Sequence, residues 1–216
     1  MTTSIRSTGA ISRSLFVFSL VYGGLVCIAG VLGTKIVALG PLTVEAGIIA
    51  FLQLVVLSSA VAELHGKDAA GRLVRYGFIP LILSALLIQL VIALPAADFW
   101  NQQAAFQSIL GQGSRLMLAG LISYGISQTL NVYLFDALRS GTGNMVWLRG
   151  AIAAVASQIV DTGLFITIAF LGVLPIIPLL ISGIIAKIAL SLIMVPILIQ
   201  AAVALGCWLD RDGIGV

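Results

Sequence analysis

Apolar residues along this chain gather into six long blocks, each near the roughly 20 residues an α-helix needs to cross a hydrocarbon core. The blocks run from Leu15 to Leu32, Leu42 to Val61, Val74 to Leu94, Leu116 to Phe135, Met145 to Leu171 and Ile176 to Leu205. Pro95, Gly141 to Gly143, and Pro175 to Pro178 punctuate the connections between them. In lipid each backbone N–H and C=O must find its partner inside the protein, so blocks of this length read as spanning helices. The pattern predicts an all-α integral membrane protein, a bundle of six transmembrane helices. The longest polar connections, Glu63 to Arg75 and Ala96 to Arg115, leave no room for a soluble module, so residues 1–216 are expected to form one transmembrane domain.

Composition agrees, with 60% hydrophobic and only 9% charged residues, far from the balance of a water-soluble domain. Arg6 and Arg13 before the first block resemble the start of a signal peptide, but the apolar run continues to Gly33 and Lys35 without a clear small-residue cleavage site. Cys27 and Cys207 lie in or at the end of apolar blocks, where a thiol acts as a small hydrophobe, and imply no disulfide framework. The distribution of cations sets the orientation. Arg6, Arg13, Lys67, Arg72, Arg75, Arg139, Arg149 and Arg211 fall on one side of a six-helix chain; Lys35 and Arg115 fall on the other and Lys187 lies within the last block. The positive-inside rule then places both termini in the cytoplasm. Topology and lipid headgroup contact are reason enough for Arg72, Arg75, Arg139 and Arg211.

Familiar catalytic chemistry is missing from the sequence. The single His65 has no ligand partners at metal spacing, no Gly-x-Ser-x-Gly elbow is present, and neither a phosphate-binding loop nor a dinucleotide fingerprint occurs. Neither enzyme, cofactor, metal nor nucleic-acid partner is expected. The candidates for chemistry are polar residues at mid-membrane depth, which are expensive there. Tyr124, Gln128 and Asn131 share one face of the fourth helix, and Gln158, Asp161, Thr162 and Phe165 share one face of the fifth. Asp161 and Lys187 each lie about a dozen residues into their blocks and could pair across antiparallel neighbours. Such a pair, with the amides as interhelical glue, would serve a purely structural bundle equally well. Small residues already available for close packing, at Ala29 and Gly33, Ala119 and Ser123, and Ala153 and Ser157, make glue a less pressing need, and the number of amides and charges points to a polar cavity. Gly23 and Gly24 in the first block extend this close packing, within the chain or against a second copy in a homo-oligomer.

The connection after the third block mixes Asp98, Phe99, Trp100, Asn101, Gln102, Gln103, Phe106 and Gln107 and ends at Arg115. Rings offer stacking surface and amides both donate and accept, a combination suited to a planar heterocycle. An interfacial aromatic belt would use Phe99 and Trp100 in the same positions.

Four stretches carry a resemblance to a known family. They are Gly33-Thr34-Lys35-Ile36-Val37 with Ala46 to Phe51; Glu63-Leu64-His65-Gly66-Lys67 with Ala69 and Ala70; Phe99 to Phe106 leading through Arg115 and Ser123 to Gln128 and Asn131; and Trp147-Leu148-Arg149 continuing to Ser157-Gln158-Ile159-Val160-Asp161-Thr162 and on to Ala169 to Gly172, with Lys187 and Pro196 beyond. With these the chain resembles the queuosine precursor transporters, the YhhQ-type or vitamin uptake transporter family. The resemblance implies six helices in a bacterial inner (cytoplasmic) membrane and import of a 7-deazapurine such as 7-cyano-7-deazaguanine. It implies a substrate-binding set of Glu63, Trp100, Asn101, Gln102, Phe106, Arg115, Gln128, Asn131, Arg149, Gln158, Asp161 and Lys187. A guanine-like edge has adjacent N–H donors for a carboxylate and a carbonyl for an amide or cation, so the chemistry is compatible. Two departures bear on the substrate. Ser59 stands where the family usually has an acidic residue, and Gly150, Ala151, Ala153 and Ala154 replace polar residues. A stand-alone secondary transporter, a membrane subunit feeding a separate ATP-driven module, and a membrane scaffold remain distinct readings.

Overall fold

The structure, a computed structural model, describes residues 11–39, 42–111, 114–139, 145–172 and 176–211. Among these it forms seven helices and one short hairpin: α1 (Arg13–Gly33), β1 (Ile36–Leu39), β2 (Leu42–Glu45), α2 (Ile48–His65), α3 (Lys67–Ala93), α4 (Gln103–Leu110), α5 (Ser114–Ala137), α6 (Val146–Phe170) and α7 (Ile176–Asp210). Five helices (α1, α2, α3, α6 and α7) are long and apolar enough to cross a membrane. The expected sixth, α5, carries Ser123, Tyr124, Ser127, Gln128, Asn131 and Asp136 among its 24 residues and falls outside that group.

Outside faces are greasy and the centre is helical. Along α3, Ile79, Leu83, Leu86, Leu90 and Val91 are exposed, as are Ile181, Ile185, Ile193 and Ile197 on α7. That inversion of the soluble pattern is what a bilayer as outer solvent requires. By contrast, 61% of the apolar window of α2 is buried, against 6% in α3. α2 packs on each of the five other long helices and is the axis of the bundle. Its apolar residues are spread around the helix rather than confined to one stripe, as a largely enclosed helix requires.

Several boundaries differ from the hydropathy reading. The second block begins at Leu42, yet residues 42–45 form β2, paired antiparallel with β1 in the register Ile36↔Glu45 to Leu39↔Leu42. A bond from the Ala46 amide to the Lys35 carbonyl (2.8 Å) closes the hairpin base, and α2 begins only at Ile48. The connection from Glu63 to Arg75 is mostly helical, because only Gly66, at φ 83, interrupts it. That left-handed conformation suits glycine, ends α2 and lets α3 start at Lys67 rather than Val74. The loop from Ala96 to Arg115 likewise contains the short helix α4.

Candidate functional site

A cavity of about 700 Å³ opens between α1, α2, α3, α4 and α5 at the end of the bundle that holds the hairpin base and α4. Gly33, Thr34 and Gly47 lie at its hairpin side and Ser108 to Gly111 at its α4 side, while Phe51, Tyr124, Asp161, Phe165 and Lys187 line it within. Asp161 comes from α6 and Lys187 from α7, which run antiparallel, and Lys187 Nζ donates to Asp161 Oδ2 over 3.2 Å. Their side chains are only 8% and 12% exposed. Tyr124 closes the wall beside them: its hydroxyl donates to that of Tyr22 (2.6 Å), and its ring meets Phe51 and Phe78 edge to face. The ammonium of Lys187 stands 5.8 Å from the centre of the Phe51 ring.

Behind the ion pair lies a buried polar layer. Ser127 Oγ on α5 is 3.3 Å from Asp161 Oδ1, which fixes the register of α5 against antiparallel α6 and sets Gln128 level with Val160 and Asn131 level with Ser157, on either side of Gln158. Asn131 Nδ2 donates to Ser58 Oγ (3.0 Å) and Ser59 Oγ (3.2 Å) of α2. Ser58 Oγ in turn approaches both Gln128 Oε1 (3.3 Å) and the Val55 carbonyl (3.0 Å), with one proton for the two. Serine hydroxyls can fall back on carbonyls of their own helix, as Ser127 and Ser157 do here. Amides cannot, and they supply most of the atoms left short. Gln128 Nε2, Asn131 Oδ1, both Nε2 and Oε1 of Gln158, Thr162 Oγ1 and Ser191 Oγ are buried without a hydrogen-bond partner. Gln158 is unpaired whichever way its amide is turned. Buried polar groups in native proteins are nearly always satisfied, so a cluster of exceptions marks a place where water or a ligand belongs.

Glu63 and Arg149 meet at the other end of the bundle. Gly66 ends α2 one turn after Glu63, and Arg149 lies in the first turn of α6; Arg149 Nη2 donates to Glu63 Oε2. The guanidinium, 1% exposed, lies 4.6 Å over the Phe135 ring. Arg149, counted by its position among the cations of one side and included in the substrate-binding set, is here an internal ion-pair partner. Also at this end, Ser14 Oγ bonds Asp210 Oδ2 (2.6 Å) and His65 Nε2 (2.7 Å), joining α1, α2 and α7, and Lys67 pairs with Asp136 at 3.7 Å.

The structure thus gathers Asp161 and Lys187 at the cavity floor, sets Gln128, Asn131 and Gln158 one layer deeper, and separates Glu63 and Arg149 from them. Trp100, Asn101, Gln102 and Phe106 do not line the cavity; Trp100 and Phe106 pack edge to face 5.8 Å apart, and Asn101 and Gln102 are exposed. The side chain of Arg115 lies outside the described residues. Sequence reasoning missed the Tyr22–Tyr124 pair and the serine acceptors of α2. The only signal for them was hydroxyl groups recurring inside apolar blocks.

Residues 45–201 match the family model described as "Putative vitamin uptake transporter". Over 167 residues, 75% of this chain and 73% of the relative, the sequence is 31% identical to the "Probable queuosine precursor transporter" of Bacillus subtilis (strain 168). No solved structure matches the chain. With a bundle of long apolar helices built around a polar floor, and with these matches over most of its length, the chain belongs to the vitamin uptake transporter family and is a membrane transporter rather than an enzyme.

Proposed function

We propose that this protein imports a queuosine precursor, 7-cyano-7-deazaguanine or a closely related 7-deazapurine, across a bacterial inner membrane as a stand-alone secondary transporter. Its one domain crosses the membrane six times, through α1, α2, α3, α5, α6 and α7, with both termini in the cytoplasm. α5 is the least apolar crossing because it carries the polar face of the site. The observation that carries this reading is the cavity of about 700 Å³ with Asp161, Lys187 and the rings of Phe51 and Tyr124 at its inner end. Its size falls in the range of small-molecule sites, and its mostly apolar wall with a few convergent polar groups is what binds and orients a flat ring. Asp161 accepts from the adjacent N–H groups of the ring edge and Lys187 donates to its carbonyl, with the unpaired amide atoms of Gln128, Asn131 and Gln158 in the layer behind them. The name of the Bacillus subtilis relative supports the substrate class.

The test is tRNA queuosine in cells unable to make the precursor and supplied with 7-cyano-7-deazaguanine. Expression of the protein restores the nucleoside. Asp161→Asn removes a charge-assisted bond worth about 1.5–3 kcal/mol, which lowers uptake about 10- to 100-fold. Equal restoration with and without the protein would sink the proposal. Uptake into liposomes holding only the purified chain separates a stand-alone carrier from a subunit of an ATP-driven system.

A further inference from the structure

Away from the transport cavity, a groove of about 410 Å³ runs along the outside of the bundle between α1 and α3. Both helices start at the end that holds Glu63, since Ser14 bonds His65 there and α3 follows directly on α2. They run parallel, and Ser19, Tyr22 and Gly23 of α1 line the groove opposite Arg72, Tyr76 and Pro80 of α3. From Arg72 to Pro80 the helix rises about 12 Å, close to the ~15 Å of hydrocarbon in one leaflet. At the inner end the helices close up, where a Cβ added at Gly23 would meet Pro80 Cγ at 3.8 Å.

Within the groove the hydroxyls are already spent. Ser19 Oγ donates to the Leu15 carbonyl, and buried Tyr22 accepts from Tyr124, so the floor offers mainly carbon. The outer end is different. Arg72 and Tyr76 lie one turn apart and are exposed, Tyr76 by 63%. Among the described residues no carboxylate pairs with Arg72, although Asp68 lies one turn before it. A ligand matched to this surface has an apolar tail and an anionic head, and the bilayer supplies one at this depth. A guanidinium holds phosphate through paired N–H groups, and a basic pocket between membrane helices selects anionic headgroups.

We propose that the groove binds one anionic phospholipid of the adjacent leaflet, an acyl chain lying between α1 and α3 over Tyr22 and the phosphate resting on Arg72 and Tyr76. Tyr22 stands between this groove and Tyr124 of the cavity wall, so the lipid packs against the back of that wall. The site requires only that the chain sits in a bilayer, whatever it transports.

Native mass spectrometry of the full-length, detergent-solubilised protein tests this, titrating phosphatidylglycerol against phosphatidylcholine of the same acyl chains. Wild type is expected to bind phosphatidylglycerol about fivefold more tightly, the contribution of one arginine near a membrane surface. Arg72→Gln should bring the two lipids within twofold of each other. Arg75→Gln, which removes an exposed cation outside the groove, should keep the preference. Ser19→Phe fills the groove from the outer side of α1 and should weaken both lipids at least threefold. No preference in wild type, a preference that survives Arg72→Gln, or one lost equally in Arg75→Gln would overturn the site. Unchanged binding to Ser19→Phe would overturn the seat for the acyl chain, and with it the proposal.

Discussion

A glutamine side chain brings two donors and two acceptors into whatever surrounds it. Gln158, fully buried in α6, has no partner for either its oxygen or its nitrogen. Desolvating an amide without compensation costs about 1–3 kcal/mol by mutational measures. Leucine fills a similar volume without that penalty. Gln158→Leu is therefore expected to stabilise the protein by about 1 kcal/mol, seen as a higher Tm of the detergent-solubilised chain, while uptake falls at least tenfold. A lower Tm would show that Gln158 is structural glue after all. Individual polar residues were legible in the sequence because charges and amides are conspicuous in apolar blocks, and the placing of Asp161 and Lys187 at one depth follows from counting turns. Partner choice was not. Arg149 sits beside a connection, as a headgroup cation would, and only the packing of α2 against α6 turns it inward onto Glu63.

At the scale of elements, the meeting of α1 and α2 depends on a glycine. A Cβ added at Gly47 would come within 2.8 Å of the Ala29 carbonyl oxygen and 3.0 Å of the Gly33 Cα, both backbone atoms that cannot swing aside. Gly24, on the exposed side of α1, has nothing within 4 Å of the same hypothetical atom. Gly47→Ala should cost about 1–3 kcal/mol through overpacking and constrict the cavity mouth, whereas Gly24→Ala should be neutral or gain up to about 1 kcal/mol from helix propensity. Thermal unfolding of the two variants side by side checks this, and equal midpoints would refute the close approach. Helix existence was readable from hydropathy because block length is set by the bilayer. The hairpin was not, since Leu42 and Val44 extend an apolar run that a sliding count cannot divide from Ile48 onward. The helical start of α3 was hidden for the opposite reason, as its Lys67, Asp68, Arg72 and Arg75 look like a loop to a hydropathy count.

For the whole molecule, the two ends of the bundle are unlike. One end has a cavity reaching down to Asp161 and Lys187; the other is tied by Ser14, His65 and Asp210, by Lys67 and Asp136, and by Glu63 and Arg149. A carrier that presents its site to one side at a time needs this asymmetry, and import requires the open end to face away from the cytoplasm. Phe99, 88% exposed, marks the cavity end, and exposed Arg139 marks the tied end. Single cysteines at these two positions, in a background with Cys27→Ala and Cys207→Ala, make the orientation measurable. Phe99→Cys is expected to react with a membrane-impermeant maleimide in intact spheroplasts, and Arg139→Cys only after permeabilisation. The reverse labelling pattern would turn the molecule over, placing the cavity on the cytoplasmic side and making the Glu63 end the first to meet external substrate.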